Sequence, residues 1–191
     1  MTTLADALAQ VAQLVPEFPD EMLAAPIPAD EEQRLAALDA LHLPDTASPS
    51  LDRLAAKLAR VFEVSLAFVS VVERHRQFFL GQSGLPDGLA SARQTQCNIS
   101  IAVHVIAKNE IIAIEDLARD RRFANNPFRR EYGLRFSVGV PLHAPNGQPI
   151  GALCLMDTKP RQFTAREARL LEEYAAEAED ELARNFQPEP R

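Results

Sequence analysis

Six arginines crowd one stretch of an otherwise acidic chain: Arg119, Arg121, Arg122, Arg129, Arg130 and Arg135. Planar guanidinium forks match carboxylate and phosphate geometry, so this segment could hold an anionic metabolite or nucleotide. Arg119, Arg122, Arg129 and Arg135 are the candidate contacts. The plainer alternative pairs the arginines with Asp116, Asp120, Glu131 and the acidic last helix on a solvated face. His104 lies between Ile101 and Ile106; it could ligate haem iron, hydrogen-bond a ligand, or simply pack.

Cys97 and Cys154 are the chain's two cysteines. A redox role needs an accessible, low-pKa thiolate with a resolving cysteine nearby. Cys97, in a loop, is a candidate redox thiol or an ordinary packing residue. Cys154 sits in the apolar run ALCLM, where a thiol acts as a small hydrophobe. No catalytic residue is assigned. His42, His75 and His143 are isolated, and no His, Cys, Asp or Glu group has metal-ligand spacing, so no metal site is expected. The seven glycines form no phosphate loop and no nucleophile elbow, which argues against nucleotide hydrolysis.

The chain has 191 residues, 47% of them hydrophobic, enough for one domain with appended helices. Its formal net charge of −7 repels phosphate at long range and argues against nucleic-acid or anionic-membrane binding. No apolar stretch approaches the roughly 20 residues needed to span a bilayer. Two cysteines and an N-terminus without a signal-peptide pattern are read as a cytoplasmic, reduced protein.

The elements that must position these side chains follow from periodicity. Leu4, Leu8, Val11, Ala12 and Val15 form an amphipathic arm, followed by a linker rich in proline, Pro16 to Pro28. Asp30 and Gln33 suggest a capping box ahead of Leu35, Leu38 and Leu41. Ser48 and Pro49 open a second helix with a stripe from Leu51 to Phe62. Val64–Val72 and Gln77–Leu80 read as a strand hairpin, Leu85–Gln96 as a loop, and Ile99–Ala107 as a helix. Strands follow at Ile111–Ile114, Phe136–Leu142 and Ile150–Met156, the last two joined across Asn146-Gly147. Thr164 caps a long last helix on which Leu171, Ala175, Ala178 and Leu182 form a narrow seam. Helices enclosing a largely antiparallel sheet make an α+β layered domain.

Several of these strings resemble the GAF domains of bacteria. Asp116-Leu117-Ala118-Arg119-Asp120-Arg121-Arg122-Phe123 through Pro127, then Gly133-Leu134-Arg135-Phe136-Ser137-Val138-Gly139-Val140-Pro141-Leu142, is similar to the family's middle. Pro149 to Asp157 resembles its late strand, with Pro160-Arg161 and Phe163-Thr164 opening its last helix. Arg34, Leu35, Leu38 and Asp45-Thr46, Asp52-Arg53-Leu54, and Val69-Ser70-Val71 with Arg76-Gln77-Phe78-Phe79 resemble earlier family positions.

The resemblance implies a GAF/PAS-like fold: about six antiparallel strands, helices on one face and a ligand pocket on the other, formed with residues of about 85–134. It also implies a stand-alone sensory module that binds a small molecule or a signalling partner protein and acts through its terminal helices. The arm and linker take residues 1–29, the domain 30–186 and a tail 187–191. Arm and seam together point to a homodimer. Chromophore-binding members attach a bilin through a cysteine followed by histidine; here Cys97 precedes Asn98, and Ala102 stands where many members have the cysteine. No cofactor is named by the residues. The ligand contacts expected are His104, Arg119, Arg122, Arg129, Arg135 and Cys97, and no enzymatic activity is expected. The alternatives are a thiol enzyme like the family's free methionine sulfoxide reductase, or an interaction module without ligand.

Overall fold

The computed structural model describes residues 27–184; the expected arm at Leu4–Val15, nearly all of the linker and the end of the last helix lie outside them. Helix α1 (Glu31–Asp39) and helix α2 (Pro49–Val61) lead into strands β1 (Leu66–Val72) and β2 (Arg76–Ser83). Helix α3 (Asp87–Ala92), strand β3 (Gln94–Gln96), a 3₁₀ turn (Cys97–Ile99), helix α4 (Ile101–Lys108) and strand β4 (Ile112–Ile114) follow. Helix α5 (Pro127–Tyr132), strands β5 (Phe136–His143) and β6 (Pro149–Asp157) and helix α6 (Ala165–Ala183) complete the domain.

The strands form one sheet in the order β3-β2-β1-β6-β5-β4, antiparallel at every pairing. Because side chains alternate across a strand, β1, β2 and β6 each feed two cores. Val69, Val71, Phe78, Leu80, Val138, Leu153 and Leu155 meet α1, α2 and α6 on one face. Phe68, Phe79, Ala152, Cys154 and Met156 meet α4 and the segment after β4 on the other. The helix layer and the pocket layer therefore lie on opposite faces, as the family resemblance implies.

The strongest local signals are realised. Ser48 caps α2 by accepting from Leu51 N–H at 3.4 Å, and Thr164 with Glu167 forms a capping box on α6. Gly147 takes a positive φ of 84° in the turn between β5 and β6. The seam Leu171, Ala175, Ala178 and Leu182 is buried in this domain's own helix-face core.

Two expectations need correction. Asp30 makes no side-chain cap on α1. Buried Arg34 fastens that helix instead: its Nη1 donates to Val72 O at 2.6 Å, and Nε and Nη2 each donate to Glu31 at 2.8 Å, so the buried charge is paired. The expected loop at 85–96 contains α3 and edge strand β3. Three strand residues are too few to show a period of two.

Candidate functional site

The sheet face beneath α4 is apolar except for a line of small polar groups. Ser70 alternates with Val69 and Val71, and Gln77 with Phe78, so both point towards α4 rather than into the helix layer. Ser100, at the start of α4, donates to Gln77 Oε1 at 2.6 Å. Gln77 Nε2 donates to Ser70 Oγ at 2.8 Å, and Ser70 donates to Ala152 O at 3.3 Å. Donors and acceptors run in one direction, and each buried group in the chain is satisfied. Thr95, opposite Gln77 on β3, and Ser137, opposite Met156 on β5, are buried with hydroxyls that have no hydrogen-bond partner.

Over this floor lies a void with apolar walls from Phe68, Phe79, Ile99, Ile101, Phe128 and Met156 and polar ones from Gln77, Thr95 and Ser100. It has room for about one water molecule. Phe68 and Phe79 meet edge to face at 5.0 Å, as do Phe128 and Tyr132. Gly139 lets α4 sit close to the sheet: a Cβ there would lie 2.7 Å from Val105 Cγ2.

The roof over the void is the segment between β4 and β5, which carries Phe128. Asn126 holds it twice: Nδ2 donates to Ile99 O at 2.8 Å, and Oδ1 accepts from Arg129 N–H at 3.2 Å, capping α5. No residue of α5 itself is fully buried. Leu117, Phe123 and Leu134 anchor the rest.

The six residues expected from sequence to contact a ligand fall in separate neighbourhoods. Arg122 donates to Asp120 through Nε at 3.0 Å and Nη2 at 2.6 Å and lies over the Phe123 ring. Phe123 meets His104 edge-on at 4.8 Å. Burial, helped by the Arg122 charge, pushes His104 down to about 4, so its imidazole is neutral at pH 7. Arg135 grips Asp116 with two bonds of 2.7 Å, and Arg119 stands 89% exposed, 3.9 Å from the same carboxylate. Arg129 Nε is buried without a partner. Cys97 donates to Glu73 O at 3.3 Å on the hairpin side. Burial raises its thiol to about 11 and that of fully enclosed Cys154 to about 12, the opposite of what nucleophilic sulfur needs.

None of the residues that line the void was among the ligand contacts expected from the sequence. Ser70 and Ser100 are lone polar residues between apolar neighbours, whereas Gln77 follows Arg76 and Thr95 lies between Gln94 and Gln96; the available signal was Ser70 and Gln77 on otherwise core-facing runs.

Helix α4 is tied at both ends. Its first turn meets the pocket floor through Ser100, and Asn109, in left-handed conformation just past its last turn, lies 2.7 Å from Nε2 of His143. His143 in turn meets Glu179 of α6. On the sheet's other face, a groove over Leu38, Val71, Phe78 and Leu80 is rimmed by Asp45 and Glu73, both engaged by Arg76. Among the described residues no group of His, Cys, Asp and Glu could hold a metal ion. None of their helices is long and apolar enough to cross a membrane.

A six-stranded antiparallel sheet with helices on one face and a roofed pocket on the other defines a small pocket-bearing α+β domain. Residues 46–182 match the GAF domain model, and the chain belongs to that family, whose members are generally sensory or regulatory modules. A cyclic di-GMP phosphodiesterase of Pseudomonas aeruginosa is 31% identical over 157 residues, 81% of this chain and 26% of that enzyme. The chain thus spans about a quarter of that relative's length. The GAF domain of a phosphoenolpyruvate-protein phosphotransferase from Acinetobacter superposes with a TM-score of 0.58 at 18% identity, covering 80% of this chain and 94% of that one. A free methionine-R-sulfoxide reductase from Neisseria meningitidis gives 0.58 at 18% identity, covering 85% and 95%. At these identities the likeness to the solved structures is one of fold.

Proposed function

We propose that this GAF domain is a cytoplasmic sensor whose occupant sits between the sheet and α4 under the segment 116–134, and whose state is passed through α6 to a partner protein. One observation carries the reading: α4 contacts the pocket floor through Ser100 at its N-terminus and, through Asn109 and His143, the output helix at its end. An occupant that displaces α4 then has differential contacts with two states of α6, which any ligand-driven shift requires. In this reading Arg122 and Arg135 fasten the roof through Asp120 and Asp116, His104 backs it as a neutral ring, and Arg119 faces solvent. The domain comprises residues 30–186, and a homodimer would meet through the charged outer face of α6, since its apolar seam is already buried.

Supporting a non-catalytic role, both thiols are held protonated by burial. The reading of a ligand-free interaction module draws support from the small void. The two separate by experiment. Native mass spectrometry of the protein as purified from its host should show an added small-molecule mass, and removing that compound should alter hydrogen exchange at residues 171–182. A ligand-free protein that captures its partner equally well would overturn the sensor reading.

A further inference from the structure

We propose that the pocket takes small, neutral, single-ring molecules bearing a hydrogen-bonding group such as a carboxamide, and discriminates against anions of the same shape. The proposal rests on the sensor reading above and names its ligand class. No ionisable side chain lines the void. Of the arginines in the roof segment, Arg122 is spent on Asp120 and Arg135 on Asp116, and Arg129, whose Nε is buried without a partner, does not line the void. A carboxylate or phosphate entering this face would lose water and meet only aromatic rings and neutral dipoles, a transfer that is strongly unfavourable for an unpaired charge.

The same face has a reason to accept a neutral polar group. Thr95 lines the void, is 6% exposed, and its hydroxyl lacks any partner. Unlike Ser137, whose hydroxyl is also orphaned, Thr95 lines the void, where an occupant can satisfy it. A hydroxyl can both donate and accept, so it can serve a carboxamide oxygen or nitrogen; beside it, Gln77 Oε1 accepts one bond from Ser100 and has a second lone pair.

Ring size follows from the roof. Phe128 projects from α5, a helix with no fully buried residue, and fills the space opposite Phe68 and Phe79. Withdrawing Phe128 with α5 frees the volume of one aromatic ring against walls that favour edge-to-face or offset packing. Phe128 thus behaves as a tethered placeholder for the ligand ring.

The test uses benzamide, benzoate and fluorobenzene against the full chain at pH 7.5, with binding read from chemical-shift changes of the methyl groups of Ile99, Ile101 and Met156. Benzamide is expected to bind at least about tenfold more tightly than benzoate. Thr95→Val, which keeps the side-chain shape, should weaken benzamide by about fivefold or more and leave fluorobenzene unchanged. An unaltered melting temperature of this variant shows that its fold is kept; if it is destabilised, Thr95→Ser should restore benzamide binding. Benzoate binding as tightly as benzamide overturns the proposed selectivity and leaves the pocket reading standing. Benzamide binding that is indifferent to Thr95→Val overturns the assigned contact. Absence of shifts at these methyls with all three probes overturns the proposal and the pocket reading together.

Discussion

The backbone N–H and the Nδ1 of His143 converge on one carboxylate oxygen of Glu179, at 2.7 and 2.8 Å. The two residues stand at the end of β5 and on the outer helix α6, so one carboxylate ties the sheet to the output helix. With Nε2 facing Asn109, the imidazole is the shared member of a contact between the two layers on opposite faces of the sheet.

Glu179→Ala should therefore separate binding from output. Its cost in stability is expected at about 1 kcal/mol, the worth of one modest hydrogen-bonded group, read by urea unfolding. Pocket affinity should be unchanged while the ligand-dependent change in hydrogen exchange at residues 171–182 disappears.

Gly139→Ala should destabilise the domain by about 1–3 kcal/mol, because the new methyl would sit 2.7 Å from Val105 Cγ2 and 3.1 Å from Cys154 Sγ. The clash is mainly with a side chain. Adding Val105→Ala to this variant should recover part of the loss in a double-mutant cycle, and independence of the two changes would contradict the packing described.

Acid should weaken the fold through His104 before it reaches the carboxylates. The folded state keeps this ring neutral down to about pH 4, whereas an unfolded histidine takes a proton near pH 6.5. Stability is full above that upper value and falls as pH drops towards the lower one, by roughly 3 kcal/mol in all. Asp116 and Asp120, held below their ordinary range by Arg135 and Arg122, add their loss only at lower pH. Denaturation midpoints at pH 7 and pH 5 should differ for the native chain and much less for His104→Asn.

Asn126→Ala should loosen the roof locally. The substitution removes the bond to Ile99 O and the α5 cap, together about 1–2 kcal/mol. Exchange of amides at residues 127–132 should quicken while that of the strands stays slow.

Thiol chemistry is expected to be slow. With Cys97 raised to about 11, roughly 3 in 10,000 molecules carry its thiolate at pH 7.5, and Cys154 is enclosed. A disulfide reagent should modify the native protein far more slowly than free cysteine, and Cys97→Ser should leave ligand binding intact. Turnover of free methionine sulfoxide that is lost in Cys97→Ser would reverse the non-catalytic reading.

Periodic apolar runs, proline stops and caps such as Ser48 and Thr164 made the layers legible in the sequence, since each reports a local constraint. The motif strings added the family. The pocket was not legible. Its polar members come from β2, β3 and the start of α4, and only sheet register brings Gln77, Thr95 and Ser100 together. Arginine density drew attention to 119–135 because charge is conspicuous in a sequence, but whether a guanidinium is free depends on partners such as Asp116 and Asp120, whose approach is set by the loop's fold.

The two margins of the sheet, β3 and β4, are three residues each. Strands this short present few open backbone groups to another chain, which guards against edge-to-edge aggregation. For the same reason β3 and β4 themselves give assembly by strand addition little to grip.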